Sequence, residues 1–137
     1  MLSFRNAPFA LLLFTGVLIT SSLFAQDSPG IVHRMVIIGD AGRLLNGSSI
    51  VPEAAAGLID PADSNATVIF LGDNIYDKGM PGEEESDYAE SVHILQRQLD
   101  PFNGYRAAVY LIPGNHDWEK GGPRGWERVK RQSAWVD

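Results

Sequence analysis

The sequence predicts an α/β fold, a mostly parallel β-sheet with flanking helices. Three short apolar runs, residues 31–38, 66–71 and 107–112, lead into a glycine followed by a polar residue. Helical patterns separate the runs, and strands that alternate with helices are typical of βαβ units and a parallel sheet. Because the runs are almost continuously apolar, we expect strands that are buried on both faces.

The segments between and after these runs carry helix signals. Ser48 or Ser49 can cap a first helix that continues to about Ile59. A second helix is predicted to begin at the acidic segment 83–87, since negative charge is favourable at a helix start. Its apolar residues recur at helical spacing and end before a proline: Tyr88, Val92, Leu95 and Leu99. A third helix is predicted from residue 125 to the C-terminus.

The first 25 residues have the composition of a secretory signal peptide. Arg5 is the only charge before Asp27, an apolar run occupies residues 10–19, and a small residue stands at Ala25. An uncleaved anchor is the alternative, but the apolar core is about half the roughly 20 residues that span a bilayer. We expect cleavage after Ala25, no stable membrane span afterwards, and a secreted, periplasmic or cell-envelope location.

Composition excludes several classes of site and partner. The chain has no cysteine, which excludes a disulfide framework, a thiolate zinc site and a cysteine nucleophile. Acidic residues outnumber basic ones, 17 to 11, so no basic surface for nucleic acid is expected. No feature of the sequence indicates an oligomeric state.

Polar residues follow all three predicted strands. Asp40 follows the first run, Asp73 and Tyr76 the second, and Asn115 and His116 the third. In parallel sheets, ligands bind beyond the carboxyl ends of the strands. Oxygen donors with imidazole suit Fe, Mn, Zn or Mg. Two such cations about 3.5–4 Å apart can promote an in-line phosphoryl displacement.

Three ordered motifs make this chemistry specific. GDAG at residues 39–42, GDNIY at 72–76 and GNHD at 114–117 resemble the first three motifs of the calcineurin-like metallophosphoesterases. Gly42, two places after the first aspartate, and Tyr76, three places after the second, resemble the purple acid phosphatase branch. This resemblance implies the N-terminal half of a four-layer αββα sandwich.

The resemblance also implies a role for each site residue. Asp40 and Tyr76 would bind one metal, Asp73 would bridge two metals, and Asn115 would bind the second. His116 would stand beside the phosphate and assist the leaving group. Phenolate ligation implies Fe(III) paired with Fe, Zn or Mn. The implied reaction is the hydrolysis of phosphate monoesters at a dinuclear centre.

The sequence departs from the family pattern in its histidines. The family's later motifs supply three further imidazoles, whereas this chain contains only His33, His93 and His116. We expect His33 and His93 to have surface or packing roles. We therefore expect residues 26–137 to form the N-terminal part of an incomplete phosphoesterase domain that is inactive alone.

Other residues near the motifs receive more modest interpretations. Asn74 and Asp117 are expected to orient the metal ligands. Trp126 is expected to pack the third helix onto the sheet. The basic residues around that helix are interpreted as a solvated face: Arg124, Arg128, Lys130 and Arg131.

Two other functions stay open at this stage. The same fold could hydrolyse a phosphodiester or a nucleotide, since specificity resides mainly in loops. Alternatively, the chain could be a non-catalytic exported binding module, an interpretation that the low histidine content favours.

Overall fold

The computed structural model describes residues 30 and 32–137. The predicted signal peptide and its cleavage point lie outside the described residues. Within the described part, three strands alternate with three helices: β1 (Arg34–Ile38), α1 (Ile50–Ala56), β2 (Ala66–Phe70), α2 (Tyr88–Leu99), β3 (Ala108–Leu111) and α3 (Gly125–Val136). Short 3-10 turns at Asp100–Phe102 and Glu119–Gly121 follow α2 and precede α3.

The three strands form one parallel sheet in the order β1-β2-β3. Val68 of the central strand is in register with Val36 on one side and Val109 on the other. The predicted α/β fold with a parallel sheet is confirmed. Each strand is shorter than the apolar run that predicted it, because the run continues into the loop at one or both ends.

One face of the sheet is buried, and its apolar residues pack against the helices. Val68 and Phe70 have no exposed surface and join Ala55 and Ala56 of α1 in the main core. The opposite face is open, with Met35 56% and Tyr110 58% exposed. The expectation of burial on both faces is therefore wrong for the described residues. An apolar run shows that both faces are apolar, but only the packed helices decide which face is covered.

Helix α2 confirms its predicted apolar face but not its start. Leu95 is fully buried, and Tyr88 and Val92 are partly buried against the same small core as Ile75. The acidic segment 83–87 precedes the helix, which begins only at Tyr88.

Helix α3 begins at Gly125 as predicted, but the side of the helix that faces the core is not the predicted one. It buries Arg128 and Gln132, whereas Trp126 is 58% exposed. The ring of Trp126 stacks on that of Trp118 at 5.8 Å instead of packing on the sheet. The interpretation of Arg128 as part of a solvated face is wrong, because two glutamates from other loops reach it in the interior.

Between residue 32 and the C-terminus, no helix has the length and apolarity that a bilayer crossing requires.

Candidate metal and phosphoester site

The two motif aspartates share an unusual backbone conformation. Asp40, after β1, has φ 53°, and Asp73, after β2, has φ 54°. This left-handed region is sparsely populated by residues other than glycine, although aspartate tolerates it better than most. Strain of this kind is concentrated at functional sites. It turns the chain sharply where each strand reaches the carboxyl edge of the sheet.

Gly42 brings the first two motif loops into backbone contact. Its N–H donates to the carbonyl of Asp73 at 3.0 Å. A Cβ at position 42 would lie 2.5 Å from the carbonyl oxygen of Asn74, closer than any real side chain comes. The loop geometry therefore requires glycine two residues after Asp40 and leaves no room for a histidine.

Tyr76 lies between the two carboxylates. Its hydroxyl donates to Asp40 Oδ1 at 2.8 Å and is 3.3 Å from Asp73 Oδ2. Burial raises the pKa of Tyr76, and the hydrogen bond with Asp40 and the negative charge of Asp73 raise it further. Three oxygen donors thus converge in a small, negatively charged space. A cation bound there would reverse this effect on the phenol.

His116 joins the same cluster through its ring and its backbone. The ring centroid is 4.4 Å from that of Tyr76, edge to face, and the backbone N–H donates to Asp73 Oδ1 at 3.1 Å. Ring atom Nδ1 is 2.8 Å from the carbonyl oxygen of Asp77. Since a carbonyl can only accept, Nδ1 must carry the hydrogen. The neutral ring is then left with Nε2 as its proton-accepting atom.

Asn115 is the predicted ligand that the structure ties least closely to the others. It is exposed, and its backbone carbonyl accepts the N–H of Lys120 at 2.7 Å. Its side chain makes no hydrogen bond with the described part of the chain. Across residues 32–137, no three His, Asp or Glu side chains are grouped closely enough to hold a metal by themselves.

The family model for calcineurin-like phosphoesterases matches residues 33–136. The chain belongs to the calcineurin-like phosphoesterase family. Metal-dependent hydrolysis of phosphoesters is the reaction of this family, and its members typically bind two metal ions. Comparisons with curated proteins and with solved structures find no match.

In this calcineurin-like phosphoesterase, Asp117 connects the second and third motifs. Its fully buried carboxylate accepts backbone N–H groups from Asn74 at 3.1 Å, Ile75 at 3.0 Å and Gly114 at 2.8 Å. Burial raises the pKa of Asp117, and these N–H donors act in the opposite direction. The carboxylate therefore holds GDNIY and GNHD in a fixed relation.

Asn74 is equally buried and extends the same connection. Its side-chain NH₂ group donates to the backbone carbonyl of Ile112 at 2.9 Å, and its backbone carbonyl accepts a hydrogen bond from the side-chain NH₂ group of Gln98 at 2.8 Å. Gln98 was not singled out from the sequence. The sequence signal for its burial was its position three residues after Leu95, which belongs to the predicted apolar face of the same helix.

The candidate site includes other residues that the motifs do not indicate. Asp77 contributes only its carbonyl, which any residue could supply, so its side chain gives no signal. The guanidinium carbon of Arg43 lies 5.3 Å from the ring centre of Tyr76, as in a cation–π contact. His33 and His93 are exposed, in agreement with their predicted surface roles.

Proposed function

We propose that the site hydrolyses phosphate monoesters with a dinuclear metal centre of the purple acid phosphatase type. The observation that supports this proposal best is the position of Tyr76, whose hydroxyl contacts Asp40 and Asp73 together. A phenol between two carboxylates is a donor set suited to a hard, strongly Lewis-acidic cation such as Fe(III).

The residues present fit one metal ion well and a second ion in part. Asp40, Asp73 and Tyr76 converge and would hold the first ion. Asp73 and Asn115 would contribute to the second. The bound metals would supply Lewis acidity to the phosphoryl group.

The chain's own residues account for proton transfer and charge. With the Nδ1 hydrogen bonded to the Asp77 carbonyl, Nε2 of His116 is the ring atom that can take up a proton from water and then deliver it to the leaving oxygen. Arg43, exposed beside Tyr76, adds positive charge for an anionic substrate. Asp117 and Asn74 keep the ligand loops in place.

Metal loading of the purified chain tests the phenolate ligand directly. Fe(III) should produce a visible phenolate-to-iron absorption band that Tyr76→Phe abolishes. Tyr110→Phe, which alters an exposed tyrosine on the open sheet face, is the matched control and should keep the band. A band that persists in Tyr76→Phe would contradict the proposed ligand set.

Hydrolysis is best measured on the polypeptide encoded by the whole reading frame. We expect release of phosphate from an aryl phosphate monoester, with Asp73→Asn inactive. Faster cleavage of an aryl phosphodiester would favour the alternative substrate class. Activity in neither assay, with metal bound, would favour a non-catalytic binding module.

We also propose that residues 1–25 direct export from the cytoplasm. The basic start, the short apolar core and the small residue at Ala25 support this proposal. N-terminal sequencing of the exported protein should begin at Gln26. A protein that retains its initial residues would contradict cleavage at this position.

A further inference from the structure

A buried arginine connects the two loops that meet at His116. The side chain of Arg128 in α3 is 1% exposed. Its Nη1 donates to the carbonyl of Gly79 at 3.2 Å, its Nη2 to Glu85 Oε2 at 3.2 Å and its Nε to Glu119 Oε1 at 3.4 Å. Gly79 and Glu85 lie after GDNIY, whereas Glu119 lies after GNHD. One guanidinium therefore bonds both loops.

The Gly79 end of this connection lies directly against the third motif. Gly79 has φ +75°, and a Cβ there would lie 2.8 Å from the Cα of Asp117. Its N–H donates to the carbonyl of Ile75 at 3.1 Å, which closes a short loop around Tyr76 and Asp77. This loop supplies the carbonyl that holds His116 Nδ1. Through Gly79, Arg128 thus binds the loop whose Asp77 carbonyl orients the imidazole of His116.

The chemistry of arginine suits it to hold these three acceptor groups in fixed directions. A guanidinium stays charged in a protein interior, so its burial depends on the two ionised glutamates. Its planar fork sets the directions of three acceptors at once, which the ammonium of a lysine cannot do. Arg124 bonds the same pair, Glu85 at 3.2 Å and Glu119 at 3.1 Å, but from a half-exposed position.

We propose that Arg128 is a positioning residue of the phosphoesterase site. It holds the Asp77 carbonyl against His116 Nδ1, so that the neutral imidazole keeps its hydrogen on Nδ1 and Nε2 stays available for proton transfer. The catalytic part of this inference rests on the role proposed for His116. The structural part does not, because the tautomer of the ring can be measured without substrate or metal.

The decisive experiment is ¹⁵N NMR of the metal-free chain labelled at histidine. We expect His116 to be largely in the Nδ1–H form in the parent protein and to shift towards the Nε2–H form in Arg128→Lys. Arg124→Gln is the matched control, since it removes a guanidinium from the same two glutamates without touching Gly79. The signals of exposed His33 and His93 should not change and serve as internal references.

A second variant keeps the proposal testable where Arg128→Lys does not fold. Glu119→Gln leaves the bonds of Arg128 to Gly79 and Glu85, and we expect a smaller shift in the same direction. An unchanged His116 tautomer in either folded variant would overturn the proposal. So would an equal shift in Arg124→Gln.

Kinetics on the polypeptide from the whole reading frame separate this proposal from the proposed function. In an active enzyme, Arg128→Lys should lower kcat roughly 10- to 100-fold with KM little changed, as for other residues that orient a reactive group. An unchanged kcat in the folded variant would overturn the catalytic part. An inactive parent enzyme whose tautomer still depends on Arg128 would refute the proposed function and support the structural connection.

Discussion

The carboxylate of Asp117 holds Asn74 twice, through its backbone N–H at 3.1 Å and its side-chain amide at 3.3 Å. Neither residue has any exposed surface. The third motif therefore positions the second from inside the protein.

Replacing Asp117 by asparagine should destabilise the fold. The new side chain presents an NH₂ group to buried N–H donors, at least one of which would lose its acceptor. We expect a loss of about 1–3 kcal/mol in the free energy of unfolding. Urea denaturation measures it, with Asp100→Asn at an exposed position as the control. Equal stability of the two variants would contradict the proposed connection.

Gly42→Ala should separate the first two motif loops. Its Cβ would lie 2.5 Å from Asn74 O and 2.6 Å from Asp73 O, so the backbone must move. We expect a loss of about 1–3 kcal/mol, the usual cost of overpacking. Gly39→Ala, in the same loop with open space around it, should be nearly neutral. Thermal unfolding compares them, and a neutral Gly42→Ala would show that these loops can separate freely.

Acid should weaken the connection that Arg128 makes. Hydrogen bonding from the Gly82 N–H and the charges of nearby arginines lower the pKa of Glu85. A carboxylate with a lowered folded pKa contributes stability that is present above its unfolded pKa, roughly 4.3. This contribution is lost as the pH falls through the folded value.

Urea midpoints between pH 3 and pH 7 test this dependence. We expect Glu85→Gln to flatten the loss of stability below about pH 4.3, whereas exposed Glu90→Gln should not. Burial raises the pKa of Asp117, which gives that residue the opposite pH dependence. An unchanged acid slope in Glu85→Gln would contradict a stabilising role for the ionised glutamate.

Metal ions should stabilise the folded chain through the site carboxylates. Mn²⁺ at 100 times its Kd would add about 2.7 kcal/mol to the free energy of unfolding. Asp73→Asn removes the carboxylate between Tyr76 and the backbone of His116, so the increase should disappear. Asp100→Asn should keep it. A full Mn²⁺ effect in Asp73→Asn, measured by thermal unfolding, would place the metal elsewhere.

Local patterns predicted the strands, the helix order and the positions of the motif residues. A Gly-Asp or Gly-Asn pair follows each apolar run in the sequence, independently of any tertiary contact. Parallel strands bring these pairs to one edge of the sheet. For this reason Asp40, Asp73, Tyr76 and His116 could be placed together before the structure was known. The predicted start of α2 in the acidic segment 83–87 was wrong, since the helix begins at Tyr88 and Glu85 of that segment instead pairs with Arg128 and Arg131 of α3.

The sequence alone determined the α/β class and the phosphoesterase motifs, since both depend on short-range order along the chain. Only the tertiary structure decided that one sheet face stays open and that Arg128 is buried. It also decided that Asp117 connects two motifs. Each of these features depends on groups far apart in sequence, and a charged or amide side chain looks the same in a sequence whether water or a buried partner surrounds it.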